Sequence, residues 1–84
     1  MEGEGLDVKI LNLKEKLFDG EAIKVVLPAV GGEMCILPHH ISLITALVPG
    51  TIRIFRAISD RVVSIKVTGG VCSFSNNSAV FILQ

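Results

Sequence analysis

The side chains able to do chemistry gather in one stretch, where Glu33, Cys35 and the adjacent pair His39-His40 stand within eight positions. A second thiol, Cys72, lies far away in sequence. Nucleophilic catalysis requires Cys or Ser beside a histidine, with a third group orienting that histidine. No such signature surrounds Cys35. Zinc requires typically three or four ligands at suitable spacing. Only Cys72 and scattered carboxylates could complete a set here, and adjacent histidines in an extended chain point to opposite faces. The glycine pairs Gly31-Gly32 and Gly69-Gly70 are isolated, and no GxxxxGKS/T run is present, so a P-loop is excluded. Histidines titrate near neutral pH, yet nothing in the sequence gives that titration a task. The expectation is a chain without catalytic residue, metal or cofactor of its own.

The elements that carry this stretch belong to one small domain of 84 residues. A domain of this size buries only about 60% of its unfolded surface. Half the residues are nevertheless apolar, and the mean hydropathy is +0.64. That surplus suggests a surface covered by another protein. Eight basic and eight acidic side chains balance to zero, which argues against nucleic acid, because its binders carry a basic stripe. Trp and Tyr are absent, so stacking platforms for bases are poorly supplied. No apolar run approaches the roughly 20 residues of a membrane span. The start, Met1-Glu2-Gly3-Glu4-Gly5, is acidic and unlike a signal peptide. In a reducing compartment Cys35 and Cys72 read most simply as free thiols, one alternative being a disulfide.

Turn signals recur about every ten residues, the spacing of an all-β sandwich or barrel. They are Asp19-Gly20, Gly31-Gly32, Pro49-Gly50, Ser59-Asp60, Gly69-Gly70 and Asn76-Asn77. Between them apolar residues alternate. Leu6, Val8 and Ile10 form one set, Ile23, Val25 and Leu27 a second, Ile52 and Ile54 a third, and Val63, Ile65 and Val67 a fourth. Period two means one buried and one exposed face. Ala79 to Leu83 is apolar on both faces, so it is expected to be a central strand or to meet a partner. Asn76-Asn77 predicts a β-hairpin, since Asn tolerates positive φ. Pro28 is expected to end its strand. Ile41 to Leu47 reads as strand or irregular. The expected fold is all-β, a small two-sheet β-sandwich of roughly 8–10 short strands over residues 1–84.

The region from Gly31 to Ile54 carries a family resemblance. A known signature runs glycine-glutamate-x-glycine, two apolar residues, proline-glycine-histidine, alanine-proline-leucine, then proline-glycine before an apolar strand. This chain matches it at Gly32, Glu33, Ile36, Pro38, His40, Leu43, Thr45, Leu47, Pro49, Gly50 and Ile52. Leu6-Asp7-Val8, Phe18-Asp19-Gly20-Glu21-Ala22 and Gly69-Gly70 extend the match in the same order. The set resembles the N-terminal β-sandwich domain of the epsilon subunit of F-type ATP synthase. Cys35 and His39 stand where that family usually has glycine, and Ser42 where it usually has proline. Glycine takes positive φ at little cost, so a Glu33–Ser42 loop of altered shape is expected.

The resemblance implies a non-catalytic rotor subunit that ties the gamma subunit to the membrane c-ring and couples ion-driven rotation to ATP synthesis. It implies that Glu33 and His40 contact the c-ring from a loop shaped by Gly31, Gly32 and Pro38. It also implies that the gamma-facing surface includes outward apolar residues of one sheet. Family members usually continue into two C-terminal helices. If the chain natively ends at Gln84, coupling without helix-mediated inhibition is expected; if the ending is a truncation, that inhibition was cut away with the helices. The N-terminus favours the cytoplasmic face of a bacterial plasma membrane over an organelle, with the chain peripheral to that membrane through the complex. The alternative function is a free-standing β-sandwich module for protein interaction or ligand binding. A small metal-dependent enzyme is a more distant one.

Overall fold

A computed structural model describes residues 5–57 and 61–84. The Ser59-Asp60 turn signal and residues 1–4 lie outside that range. Nine strands follow one another, within the expected number: β1 Leu6–Leu11, β2 Lys16–Ala22, β3 Lys24–Ala29, β4 Gly32–Ile36, β5 Leu43–Leu47, β6 Gly50–Phe55, β7 Val62–Val67, β8 Gly70–Ser75 and β9 Ser78–Leu83. No helix occurs among the described residues, and so none is long and apolar enough to cross a membrane.

Hydrogen bonds join the strands along one path, β2-β1-β9-β8-β5-β3-β6-β7, with β4 added on β3. The join between β5 and β3 is a single pair, Ala29 with Leu47. On either side of it the Val30 amide donates to the Ala46 carbonyl and the Val48 amide to the Pro28 carbonyl. That narrow seam divides the path into two layers, β2-β1-β9-β8-β5 and β4-β3-β6-β7. The two-sheet expectation therefore holds, with the sheets continuous at one corner. The pairing is antiparallel throughout except for β1 beside β9.

Alternation places the core between the layers. Leu6, Val8 and Ile10 of β1, Ala79, Phe81 and Leu83 of β9, and Cys72 and Phe74 of β8 point inward from one side. Val25, Leu27 and Ala29 of β3 and Ile52 and Ile54 of β6 answer from the other. No polar or charged side chain is buried among the described residues, so the interior is held by apolar burial and close packing alone.

Three sequence expectations change. Asp19-Gly20 is not a turn; it lies inside β2, paired with Lys9 and Val8. Its glycine serves close approach: a Cβ there would stand 2.9 Å from the Arg56 guanidinium, which lies 5.3 Å from the Phe18 ring centroid. The real β1–β2 turn is Asn12 to Glu15. There the Asn12 carboxamide oxygen accepts from the Lys14 and Glu15 amides, both at 2.8 Å, the self-bonding turn that Asn favours. Pro28 does not end β3. Its carbonyl accepts from Val48, and in an antiparallel pair a residue's nitrogen faces the same neighbour. That side is where β3 has already left β6, so proline forfeits at most the one return bond to Val48 and the strand runs on. Ile23 is 42% exposed, out of register with Val25 and Leu27, because it sits at the corner where the chain crosses from β2 to β3.

Two expectations are met closely. β9 is central, between β1 and β8, with Ile82 left exposed on its outer face. Asn76 and Asn77 join β8 to β9 with φ of 51° and 60°, the positive pair of a type I′ hairpin.

Candidate partner-binding site

The polar stretch that opened the sequence reading does not form one loop. Gly32 to Ile36 is strand β4, and only residues 37–42 are irregular. Gly31 and Gly32, with φ of 94° and 135°, make the tight β3–β4 hairpin at one end of β4. Glu33 follows them on the strand, opposite Pro28. Its carboxylate accepts from the Arg53 guanidinium of β6 at 3.1 Å, across β3. Both partners are largely exposed, so the pair contributes about 0.2–1 kcal/mol at most. It fixes the direction of a charge more than it stabilises the domain.

Pro38 and His40 lie at the other end of β4. The His40 amide donates to the Leu37 carbonyl at 3.1 Å, and His39 between them has φ 67°. Proline second and positive φ third is the pattern of a type II turn. The backbone conformation that glycine adopts easily is thus retained with histidine in place. This side chain is held in the left-handed region at a cost of about 1 kcal/mol. His39→Gly is accordingly expected to raise stability by about 0.5–1 kcal/mol in urea unfolding. A loss of stability on that substitution would show that the histidine side chain supports the turn.

The His40 ring stands edge-on to Phe74, with centroids 6.1 Å apart and planes at 85°. Its Nδ1 lies 2.7 Å from the Ile41 carbonyl. A carbonyl only accepts, so this nitrogen carries a proton, and Nε2 is the ring nitrogen left to meet a partner. Glu33 and His40 are therefore separated by the length of β4, about 10 Å of strand plus the turn. One protein interface spans such a distance easily.

The thiols part company. Cys35 is exposed on β4, and Cys72 is buried on β8. Burial alone pushes the Cys72 thiol up to about 12, because an apolar interior disfavours the thiolate. At pH 8 the native protein is expected to react with one equivalent of a thiolate-selective reagent, at Cys35. The second equivalent should react only after denaturation. Two equally fast thiols in the native state would contradict the packing of β8.

The sequence led to the expectation of outward apolar residues on one sheet, and the structure shows which residues these are. Across the outer face of the first layer, Leu11, Ile82, Val71 and Ala46 stand in register on β1, β9, β8 and β5. Val30, 61% exposed, extends the row through its bond to Ala46. The next row is Lys9, Val80, Ser73 and Ile44, with Ile44 78% exposed. The second layer is more mixed: its outer face carries Lys24, Arg53 and Lys66 among Val26, Phe55, Val62, Ser64 and Thr51. An open groove of about 440 Å³, lined by Ser42, Leu43, Ile44, Ser73, Phe74 and Ser75, borders the apolar rows. The hints in sequence were the apolar surplus and the two-faced apolarity of β9.

Comparison with known proteins agrees with this architecture. Residues 5–83 match the family model for the ATP synthase Delta/Epsilon chain, beta-sandwich domain. The ATP synthase epsilon chain of Bordetella avium is 44% identical over 66 residues, which cover 79% of this chain and 46% of that protein. That of Prochlorococcus marinus is 32% identical over 79 residues, covering 94% and 58%. This chain thus spans about half the length of these relatives. A chain in the Euglena gracilis mitochondrial ATP synthase (OSCP/F1/c-ring) superposes with a TM-score of 0.88 at 13% identity, covering 95% of this chain and 51% of that one. At that identity the likeness concerns the fold. With the family model matched from Gly5 to Leu83 and the same sandwich found in the structure, the chain belongs to the ATP synthase Delta/Epsilon chain β-sandwich family.

Proposed function

We propose that this domain is a non-catalytic component of the central stalk of an F-type ATP synthase, joining the gamma subunit to the c-ring so that ring rotation is passed to gamma. The observation that carries the reading is the outward apolar row Leu11–Ile82–Val71–Ala46–Val30. A small domain does not leave such a contiguous face to water without a use for it. A rotor part needs an apolar contact that holds through every turn, and gamma is the partner assigned to this face. Glu33 and His40 are assigned to the polar loops of the c-ring, from the two ends of β4. A carboxylate and an imidazole suit a contact that selects orientation rather than supplying most of the affinity. The same assembly makes the domain peripheral to its membrane, on the cytoplasmic face in a bacterium. It performs no chemistry itself.

Co-purification tests the proposal. Expressed with gamma, the domain is expected to elute with it in one complex, and to recover c-ring only when gamma is present or at higher concentration. A domain that elutes alone and fails to bind gamma would leave a free-standing interaction module as the better account.

A further inference from the structure

We infer that Asn77 is a positioning residue that holds the Leu37–His40 turn and so presents His40 to its partner in a single orientation. The observation is a three-way junction. The Asn77 carboxamide oxygen accepts from the His39 amide at 2.8 Å, and its nitrogen donates to the Gly5 carbonyl at 2.7 Å. The Asn77 backbone carbonyl accepts from the Asp7 amide at 3.1 Å. One residue of the β8–β9 hairpin therefore ties together the lead into β1, the turn after β4 and the hairpin itself.

Few side chains meet these demands at once. The position has φ 60°, which Asn tolerates better than most residues. It also needs an acceptor and a donor on two separate atoms of one short side chain, which a carboxamide offers and a single hydroxyl oxygen does not. Asp would keep the acceptor and lose the donor; Gly would keep the backbone and lose both. The neighbouring Asn76 has the same sign of φ and is exposed, so it serves as a control for hairpin shape.

The clamp acts on the turn, and the turn ends on His40. The ring is then seated from two sides, by the turn backbone and by the edge contact with Phe74, a residue of the same hairpin's first strand. The role of His40 as a c-ring contact rests on the function proposed above; its positioning by Asn77 is a separate matter of geometry.

The test compares Asn77→Gly with Asn76→Gly. Two quantities are read: binding to detergent-solubilised c-ring, and the ring-current shift that Phe74 imposes on the His40 ring protons. Asn77→Gly is expected to bind the ring about threefold to tenfold more weakly than Asn76→Gly, with the His40 shift collapsed toward its unstructured value. His40→Ala should lose a similar factor, and the double variant no more than His40→Ala alone, because the two residues act through one contact. An unchanged His40 shift in folded Asn77→Gly, or additive losses in the double variant, would overturn the positioning role. If His40→Ala leaves ring binding untouched, the c-ring assignment fails. The His40 shift still decides the clamp in that case, supporting it if collapsed in Asn77→Gly and refuting it if not.

Discussion

Gly70→Ala is expected to cost the domain about 3 kcal/mol or more and to lower its melting temperature by about 12–24 °C. Gly70 has φ 142°, a region essentially reserved for glycine. It also sits where three strands meet, paired with Leu47 of β5 and Leu83 of β9. A Cβ there would press on the Ile82 carbonyl oxygen and stand 2.9 Å from the Leu83 Cα. Both are backbone atoms, so no rotamer change can relieve the clash. A domain of this length has a total stability of about 4–12 kcal/mol, so the variant loses a large share of it. Gly31→Ala is the control. Gly31 also has positive φ, 94°, but its Cβ would meet nothing within 4 Å. Only strain remains, about 1–2 kcal/mol. Equal losses for the two variants in denaturant unfolding would mean that the close β8–β9 approach at Gly70 does not exist in solution.

The second large effect concerns the apolar face. Val71→Asp is expected to weaken binding to gamma by about 30-fold or more, with a change in stability within about 0.5 kcal/mol. Val71 is 45% exposed on the free domain and lies in the middle of the row, between Ile82 and Ala46. A carboxylate at the centre of a covered apolar contact is stripped of water with no partner, and that penalty falls on the complex alone. Ser64→Asp, on β7 of the opposite layer, should leave gamma binding unchanged. If both variants bind like the parent while remaining folded, the apolar row is not the gamma contact. If both lose binding, the contact is not confined to the first layer.

Much of the architecture was legible in the chain because it depends on local rules. Alternation at Leu6-Val8-Ile10, Val25-Leu27 and Ile52-Ile54 needs only the two-residue period of a strand. The Asn76-Asn77 hairpin needs only the tolerance of Asn for positive φ. Family membership was legible in the ordered run from Gly32 to Ile52. The failures have a common cause. Asp19-Gly20 reads as a turn from its composition, but the space that Gly20 leaves is filled by Arg56, 36 positions away. Pro28 reads as a strand end, but it falls where β3 changes neighbour. Neither fact can be seen without knowing which strands lie side by side.

The polar stretch from Glu33 to His40 divides in the same way. Sequence alone determined that its glycines and proline make turns, since these follow from residue types and spacing. The tertiary structure decided the rest. It made Glu33 a strand residue paired with Arg53 across β3, sent His40 to the far end of β4 against Phe74, and kept positive φ at His39 under a clamp from Asn77. It also turned scattered apolar residues from four strands into one row. Partners so distant in sequence are chosen by strand order and register, and those are set by how the whole chain buries its apolar face rather than by any single segment.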